Sequence, residues 1–268
     1  MLGYLVHNTH VTDELQENGI ELVDADNRLE GLQTIEGGTV IFTAHGVSPA
    51  VKARAAERGL NMVDATCSDV VVTHDLVRDL AERGYDVVYV GRRGHPEPEG
   101  VIGEISGHGS LIETEPDVDA LTLTPEQEQK IAISTQTTLS KWDTQRVIQY
   151  IKARYPHAQV HIDICAATQT RQEAVAGQAR GADLTIVVGD PRSNNTNRLV
   201  QVSEELAGVP AKRIEDLSQL QTEWLKGKKR VAVTAGASTP SQLTREVIRF
   251  LEQYQPEEQT DSINAFRR

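Results

Sequence analysis

Short β-branched runs, each followed by a small polar turn and then an amphipathic stretch, recur along the chain. "TVIFTAHGVSPAVKARAAERG" shows the unit clearly. Its apolar run ends near Thr43, Ser48 stands as a helix N-cap before Pro49, and Gly59 stops the helix. "DVVYVGRRGHPEPEG" repeats the run, with a loop too rich in proline to open a helix at once. "KIAISTQTTLSKWDTQRVIQYIKARYP" follows, with Ser140 and Asp143 at the spacing of a capping pair. "LTIVVGDPRSNNTNRLVQVSEELAG" and "RVAVTAGASTPSQLTREVIRFLEQY" complete the series, the latter opening its helix at Thr239-Pro240. Two further units end their strands in cysteine. "LNMVDATC" leads into a helix whose apolar face is read as Val72, Leu76 and Leu80, and "AQVHIDIC" leads into "AATQTRQEAVAGQARG".

Strands alternating with helices predict parallel sheets with right-handed crossovers, so the fold class is α/β. In such sheets ligands bind beyond the carboxyl ends of the strands. That rule selects the turn residues His45, Cys67, His95, Thr137, Cys165, Ser193, Asn195 and Ser238. No Walker loop occurs, and no G-x-G-x-x-G follows a strand, so the pattern gives no nucleotide fingerprint.

Charge narrows the choice further. A net charge of −12 and a pI near 5.1 argue against a broad nucleic-acid surface, while leaving room for one small phosphorylated ligand. No stretch has the ~20 apolar residues of a membrane span. The opening "MLGYLVHNTH" lacks the order of a signal peptide. Cytoplasmic residence and reduced cysteines are therefore expected.

The turn residues suggest two kinds of chemistry. Serines, asparagines and free amides at helix starts suit an anion, and histidines add charge-assisted bonds to phosphate oxygens. A thiol at a helix start is more readily the thiolate that binds metal, and thiolates favour zinc, copper(I) or iron–sulfur clusters. Each piece alone also has a plain reading. Two cysteines fit as small buried hydrophobes, and "SNNTN" fits as an asparagine-rich turn.

The motifs "FTAHGVSP", "DATC", "GHPEPEG", "TQTTLS", "DICAATQTRQEAV", "SNNTNRL" and "TAGASTP" stand in this order. Together they resemble the 4-hydroxy-3-methylbut-2-enyl diphosphate reductases, the iron–sulfur family that ends the methylerythritol phosphate route to isoprenoids. The resemblance runs from about Tyr4 to Gln253. It implies three small parallel-sheet α/β modules around a central cavity. The chain then divides into 1–67, 68–161 and 162–253 with a polar tail at 254–268, and the last helix returns to complete the first module.

The resemblance further implies a [4Fe-4S] cluster with Cys67 and Cys165 as two of its three cysteine ligands. His7, His45 and His95 match the histidines lining the substrate pocket. Ser193, Asn195 and Ser238 match residues holding the diphosphate, and Asn194 stands where the family commonly has serine. Glu97 matches the proton-relay carboxylate, and Thr137 the hydroxyl that works with it. The implied reaction is reductive dehydroxylation to isopentenyl and dimethylallyl diphosphate, with a ferredoxin- or flavodoxin-type electron donor.

One departure stands out. The family's remaining cysteine lies upstream of the segment matching "YLVHN", in a strand–turn–helix of about 30 residues. This chain has two cysteines in all, and Met1 stands almost directly on "GYLV". A misassigned or shortened start, which would make the full protein a standard reductase, is the favoured reading because every other catalytic position is present; a short homologue without reductase activity and an altered cluster are the alternatives. A cluster-free binder that keeps the diphosphate pocket is the rival from another class. A zinc site using Cys67, Cys165 and a histidine is a third reading.

Overall fold

The computed structural model describes residues 1–25, 27–105 and 107–255. The tail at 254–268 is thus described only for its first two residues. The chain forms three parallel-sheet α/β modules. By contact it gathers into two units, Met1–Val6 with His10–Cys165, and His7–Thr9 with Ala166–Arg268.

The first module holds α1 (Thr9–Glu17), α2 (Arg28–Gln33), β1 (Thr39–Phe42), α3 (Pro49–Glu57) and β2 (Asn61–Asp64). Val40 and Phe42 alternate inward from β1 onto Leu32, Val51 and Ala55. Pro49 opens α3 as the sequence indicates, because a first-turn residue has no amide to lose. The strand expected over "GYLV" reduces to single parallel bridges from Leu2 to Val23 and Phe42. Gly3, at φ +86°, turns the chain out of the extended path immediately afterwards.

The second module comprises α4 (Ser68–Glu82), β3 (Asp86–Val90), α5 (Pro96–Glu104), β4 (Gly109–Ile112), α6 (Glu115–Asp119), α7 (Pro125–Glu128), β5 (Ile131–Thr135), α8 (Lys141–Arg154) and β6 (Gln159–Val160). Its sheet runs in the order β4-β3-β5-β6. The sheet is covered on both faces. Val88, Val90, Ile131 and Ile133 pack with Ile148 and Ile151, while Val87, Tyr89 and Ala132 pack with Val77, Leu80 and Val101.

Two sequence readings change here. Val72 of α4 is 63% exposed; the buried stripe is Val70, Thr73, His74, Val77 and Leu80, so two polar residues carry part of the inward face. The proline-rich loop after β3 does open a helix at once. His95 caps α5 by accepting the Glu97 N–H on its ring, and Pro96 takes the first helical position. Prolines are tolerated there because first-turn amides have no partner within the helix.

His74 sits under the turn that carries His45. Its Nδ1 lies 2.9 Å from Glu104 Oε1, and Arg78 Nε donates to the other carboxylate oxygen at 3.0 Å. Gly46 adopts φ +78°, and a β-carbon added there would lie 2.8 Å from His74 Nε2. Gly46→Ala is expected to destabilise the protein by about 2 kcal/mol, from the left-handed backbone and the crowded ring together. Urea denaturation checks this; an unchanged midpoint would contradict the packing described.

The third module holds α9 (Ala166–Gln178), β7 (Leu184–Val188), α10 (Asn194–Val202), β8 (Ala211–Ile214), β9 (Val231–Ala235) and α11 (Ser241–Gln253) in a sheet ordered β8-β7-β9. The sequence sends α11 to the first module, but its buried side chains lie elsewhere. Val247 and Phe250 share a core with Leu184, Ile186, Val188 and Ile214. Those strand residues expose an apolar face that the strongly one-sided α11 covers.

Candidate functional site

In the second module β3 leads outward to β4 on one side, and the chain then returns to β5 on the other. In the third, β7 leads to β8 and the chain returns to β9. Each sheet therefore has a topological switch point, between β3 and β5 and between β7 and β9. At such points the turns leaving two adjacent strands diverge and open a crevice.

The β3–β5 crevice holds a buried acid. Glu97, 1% exposed, accepts the Thr137 N–H on Oε1 at 2.7 Å and the Thr137 hydroxyl on Oε2 at 3.0 Å. Tyr89, two strand positions inside the sheet, donates its hydroxyl to Oε1 at 3.3 Å. Burial lifts the Glu97 carboxyl to about 7, against the bonds from Thr137 and Tyr89 that favour the carboxylate. Burial, then the nearby Glu97, keeps Tyr89 well above the ordinary tyrosine range, so Tyr89 stays a donor. The Gln136 side chain ties the two turns together by accepting the Arg92 N–H at 2.8 Å.

His95, which caps α5, meets His45 edge to face with ring centroids 5.1 Å apart. The backbone joins the cysteine turns to the same unit. Cys67 N–H donates to Ala44 C=O and Cys165 N–H to Thr137 C=O, both at 3.0 Å. Cys67 is exposed at the start of α4, and Cys165 is partly exposed before α9.

The β7–β9 crevice carries the serine and asparagine turn that opens α10. Ser193 caps α10, its hydroxyl accepting the Thr196 N–H at 3.2 Å. Asn195, in the first turn, is 3% exposed, and both polar atoms of its amide are buried without a hydrogen-bond partner. A buried amide in that state signals a ligand or ordered water, because it otherwise forfeits its hydration. The walls approach closely: a β-carbon on Gly189 or Gly236 would run into Thr196 Oγ1. Asn194 is half-buried on the same turn. From β9, Ser238 donates its hydroxyl to the His7 C=O at 3.0 Å, so His7 belongs with this unit.

The structure thus places Glu97, Thr137, His45, His95, Cys67 and Cys165 in one unit, and Ser193, Asn194, Asn195, Ser238 and His7 in the other. The expected cluster fits only in part. The chain supplies two thiols, and among the described residues no cysteine joins a group of three His, Cys, Asp or Glu side chains close enough to share an ion. Tyr89 and Gln136 were not singled out from sequence. Both lie inside strands or turns whose composition marks them only as core.

These features define an α/β protein of three parallel-sheet modules, with a buried acid at one switch point and a buried, unpaired amide at another. The sequence profile of the LytB protein family matches residues 1–252, and the chain belongs to that family. It is 57% identical over 256 residues to the 4-hydroxy-3-methylbut-2-enyl diphosphate reductase of Anoxybacillus flavithermus, covering 96% of this chain and 80% of the relative. It is 56% identical to the reductase of the same name from Bacillus subtilis, covering 96% and 81%. Among solved structures, the E-1-hydroxy-2-methyl-but-2-enyl-4-diphosphate reductase of Plasmodium falciparum superposes with a TM-score of 0.86 at 32% identity, covering 95% of this chain and 78% of that one. A second solved structure, titled as an (E)-4-hydroxy-3-methyl-but-2-enyl diphosphate reductase, gives 0.65 at 32% identity, covering 94% and 87%. Among the described residues no helix is long and apolar enough to cross a membrane.

Proposed function

We propose that these 268 residues bind a small allylic diphosphate, 4-hydroxy-3-methylbut-2-enyl diphosphate by relationship, without assembling a complete iron–sulfur cluster of their own. The observation that carries this reading is Asn195, whose buried amide has two polar atoms unsatisfied at the start of α10. Phosphate oxygens meet the Asn195 amide N–H, and the dipole of α10 favours the charge. Ser193 and Asn194 add donors beside it, and Ser238 takes part through His7, whose carbonyl accepts its hydroxyl proton. His7 stands in the same unit as this turn, and His45 and His95 are the histidines that the family resemblance assigns to the substrate in the other unit.

Glu97 holds a proton for that ligand. When the carboxyl is protonated its proton sits on Oε2, since Oε1 already accepts two donors, and the bond in which Thr137 Oγ1 donates to the carboxylate reverses direction. Thr137 then turns its own hydroxyl proton outward, making a two-group relay with a carboxyl poised near neutral pH. Cys67 and Cys165 are the thiols that a cluster would use, and such a group, when bound, supplies electrons and an open iron.

The raised pKa of Glu97 favours a second reading, full reductive dehydroxylation in the cytoplasm with a ferredoxin- or flavodoxin-type donor. Anaerobic reconstitution followed by assay with a strong chemical reductant separates the two. The first reading expects binding of the allylic diphosphate, substoichiometric iron and no turnover. Turnover by these 268 residues would establish the second.

A further inference from the structure

Beside the anion-accepting turn lies a buried carboxylate with no task in the reading above. Asp190 follows β7, three residues before Ser193, and is 1% exposed. Its Oδ2 accepts the Thr9 N–H at 2.9 Å and the Thr9 hydroxyl at 2.7 Å. Its Oδ1 accepts Arg192 N–H at 2.7 Å and Arg192 Nε at 3.0 Å. Arg192 Nη2 closes the ring, donating to Asp190 Oδ2 at 2.8 Å and to Thr9 Oγ1 at 2.9 Å. Burial would raise the Asp190 carboxyl, but the bonds from Arg192 and Thr9 outweigh it and hold the group well below the usual carboxylate range.

This ring has a particular address. Residues His7–Thr9 belong with the C-terminal unit, while Val6 and His10 on either side belong with the N-terminal one. The short strap is pinned at both ends: Ser238 holds the His7 carbonyl at 3.0 Å, and Asp190 holds the Thr9 amide at 2.9 Å. Thr9 is also the first residue of α1, whose first turn carries no acidic residue.

We infer that Asp190 is a positioning residue, which fixes His7 against the Ser193–Asn195 turn through the Thr9–Arg192 ring. The inference rests on the proposed diphosphate site and deepens it. A ligand whose anionic end enters that turn meets a histidine already set at a fixed distance. The ring therefore governs affinity for the ligand through the placement of His7.

Thr9→Val keeps the side chain's shape and removes the hydroxyl from the ring; Thr9→Ser restores it. In the full metal-free chain, Thr9→Val is expected to move the His7 ring signal in heteronuclear NMR, with return in Thr9→Ser. By calorimetry, the affinity for 4-hydroxy-3-methylbut-2-enyl diphosphate should fall about tenfold, the worth of one charged hydrogen bond, and recover in Thr9→Ser. Asp190→Asn should act in the same direction, and near-ultraviolet circular dichroism shows whether it folds. A His7 signal that does not move, or an affinity that Thr9→Val leaves unchanged, would overturn the inference. Failure of the unsubstituted chain to bind inorganic diphosphate would instead remove the diphosphate site, and the ring signal would still decide the role of Asp190.

Discussion

Asn195→Leu is expected to make the ligand-free protein more stable and nearly unable to bind its ligand. Leucine has the same branched outline as asparagine and carries no polar atom. The native amide is buried with its nitrogen and oxygen unsatisfied, a state that costs about 1–3 kcal/mol. Removing it should raise the unfolding free energy by about that amount in urea. The same change deletes a donor to the phosphate oxygens and places methyl groups where charge must sit. Two charged hydrogen bonds are worth about 3 kcal/mol or more together, so affinity for the allylic diphosphate should fall at least about a hundredfold. Opposite signs for stability and binding mark a residue kept for function. A variant that lost stability and kept its affinity would show that Asn195 is ordinary packing.

Glu97→Gln is expected to alter the pH dependence of stability more than any other single change considered. The folded carboxyl is lifted from 4.5 to about 7, so the folded state holds its proton more tightly than the unfolded chain does. Its contribution is therefore fully favourable below pH 4.5, is lost progressively as pH rises to about 7, and is constant above that. Glutamine keeps an acceptor for the Thr137 N–H and a donor for the Thr137 hydroxyl, but has no charge to desolvate. At pH 8 the variant should be more stable than the native chain by roughly 3 kcal/mol, while near pH 4 the two should coincide. Binding of the allylic diphosphate should change little, because Glu97 is a proton holder and lies in the other unit from the Ser193–Asn195 turn. Identical stability-against-pH curves would remove the raised acid, and with it the relay through Thr137.

How much of this was legible in the chain differs from residue to residue. The Ser48-Pro49 start of α3 follows from local chemistry, and the structure carries it. The carboxyl-end rule picked out the turns that hold the candidate residues, because it depends only on strands alternating with helices. Val72 was assigned to the wrong face because α4 turns His74 inward toward Glu104, and no apolar count marks a histidine as core. The prolines after β3 read as a barrier to a helix; only the His95 ring, accepting an amide two residues ahead, reveals a cap. The pairing of Glu97 with Thr137 joins residues 40 apart across a switch point, so nothing local announces it. Asp190 and Thr9 are 181 residues apart, and neither stands out from its neighbours in the sequence. What local patterns missed were mainly polar contacts made across turns.

The most direct measurement is a calorimetric titration of 4-hydroxy-3-methylbut-2-enyl diphosphate into the metal-free 268-residue chain. One saturable site per chain, lost in Asn195→Leu and kept in Glu97→Gln, is the expected result. Absence of binding until iron and sulfide are supplied would contradict it, since recognition would then depend on the cluster and not on the turn that opens α10.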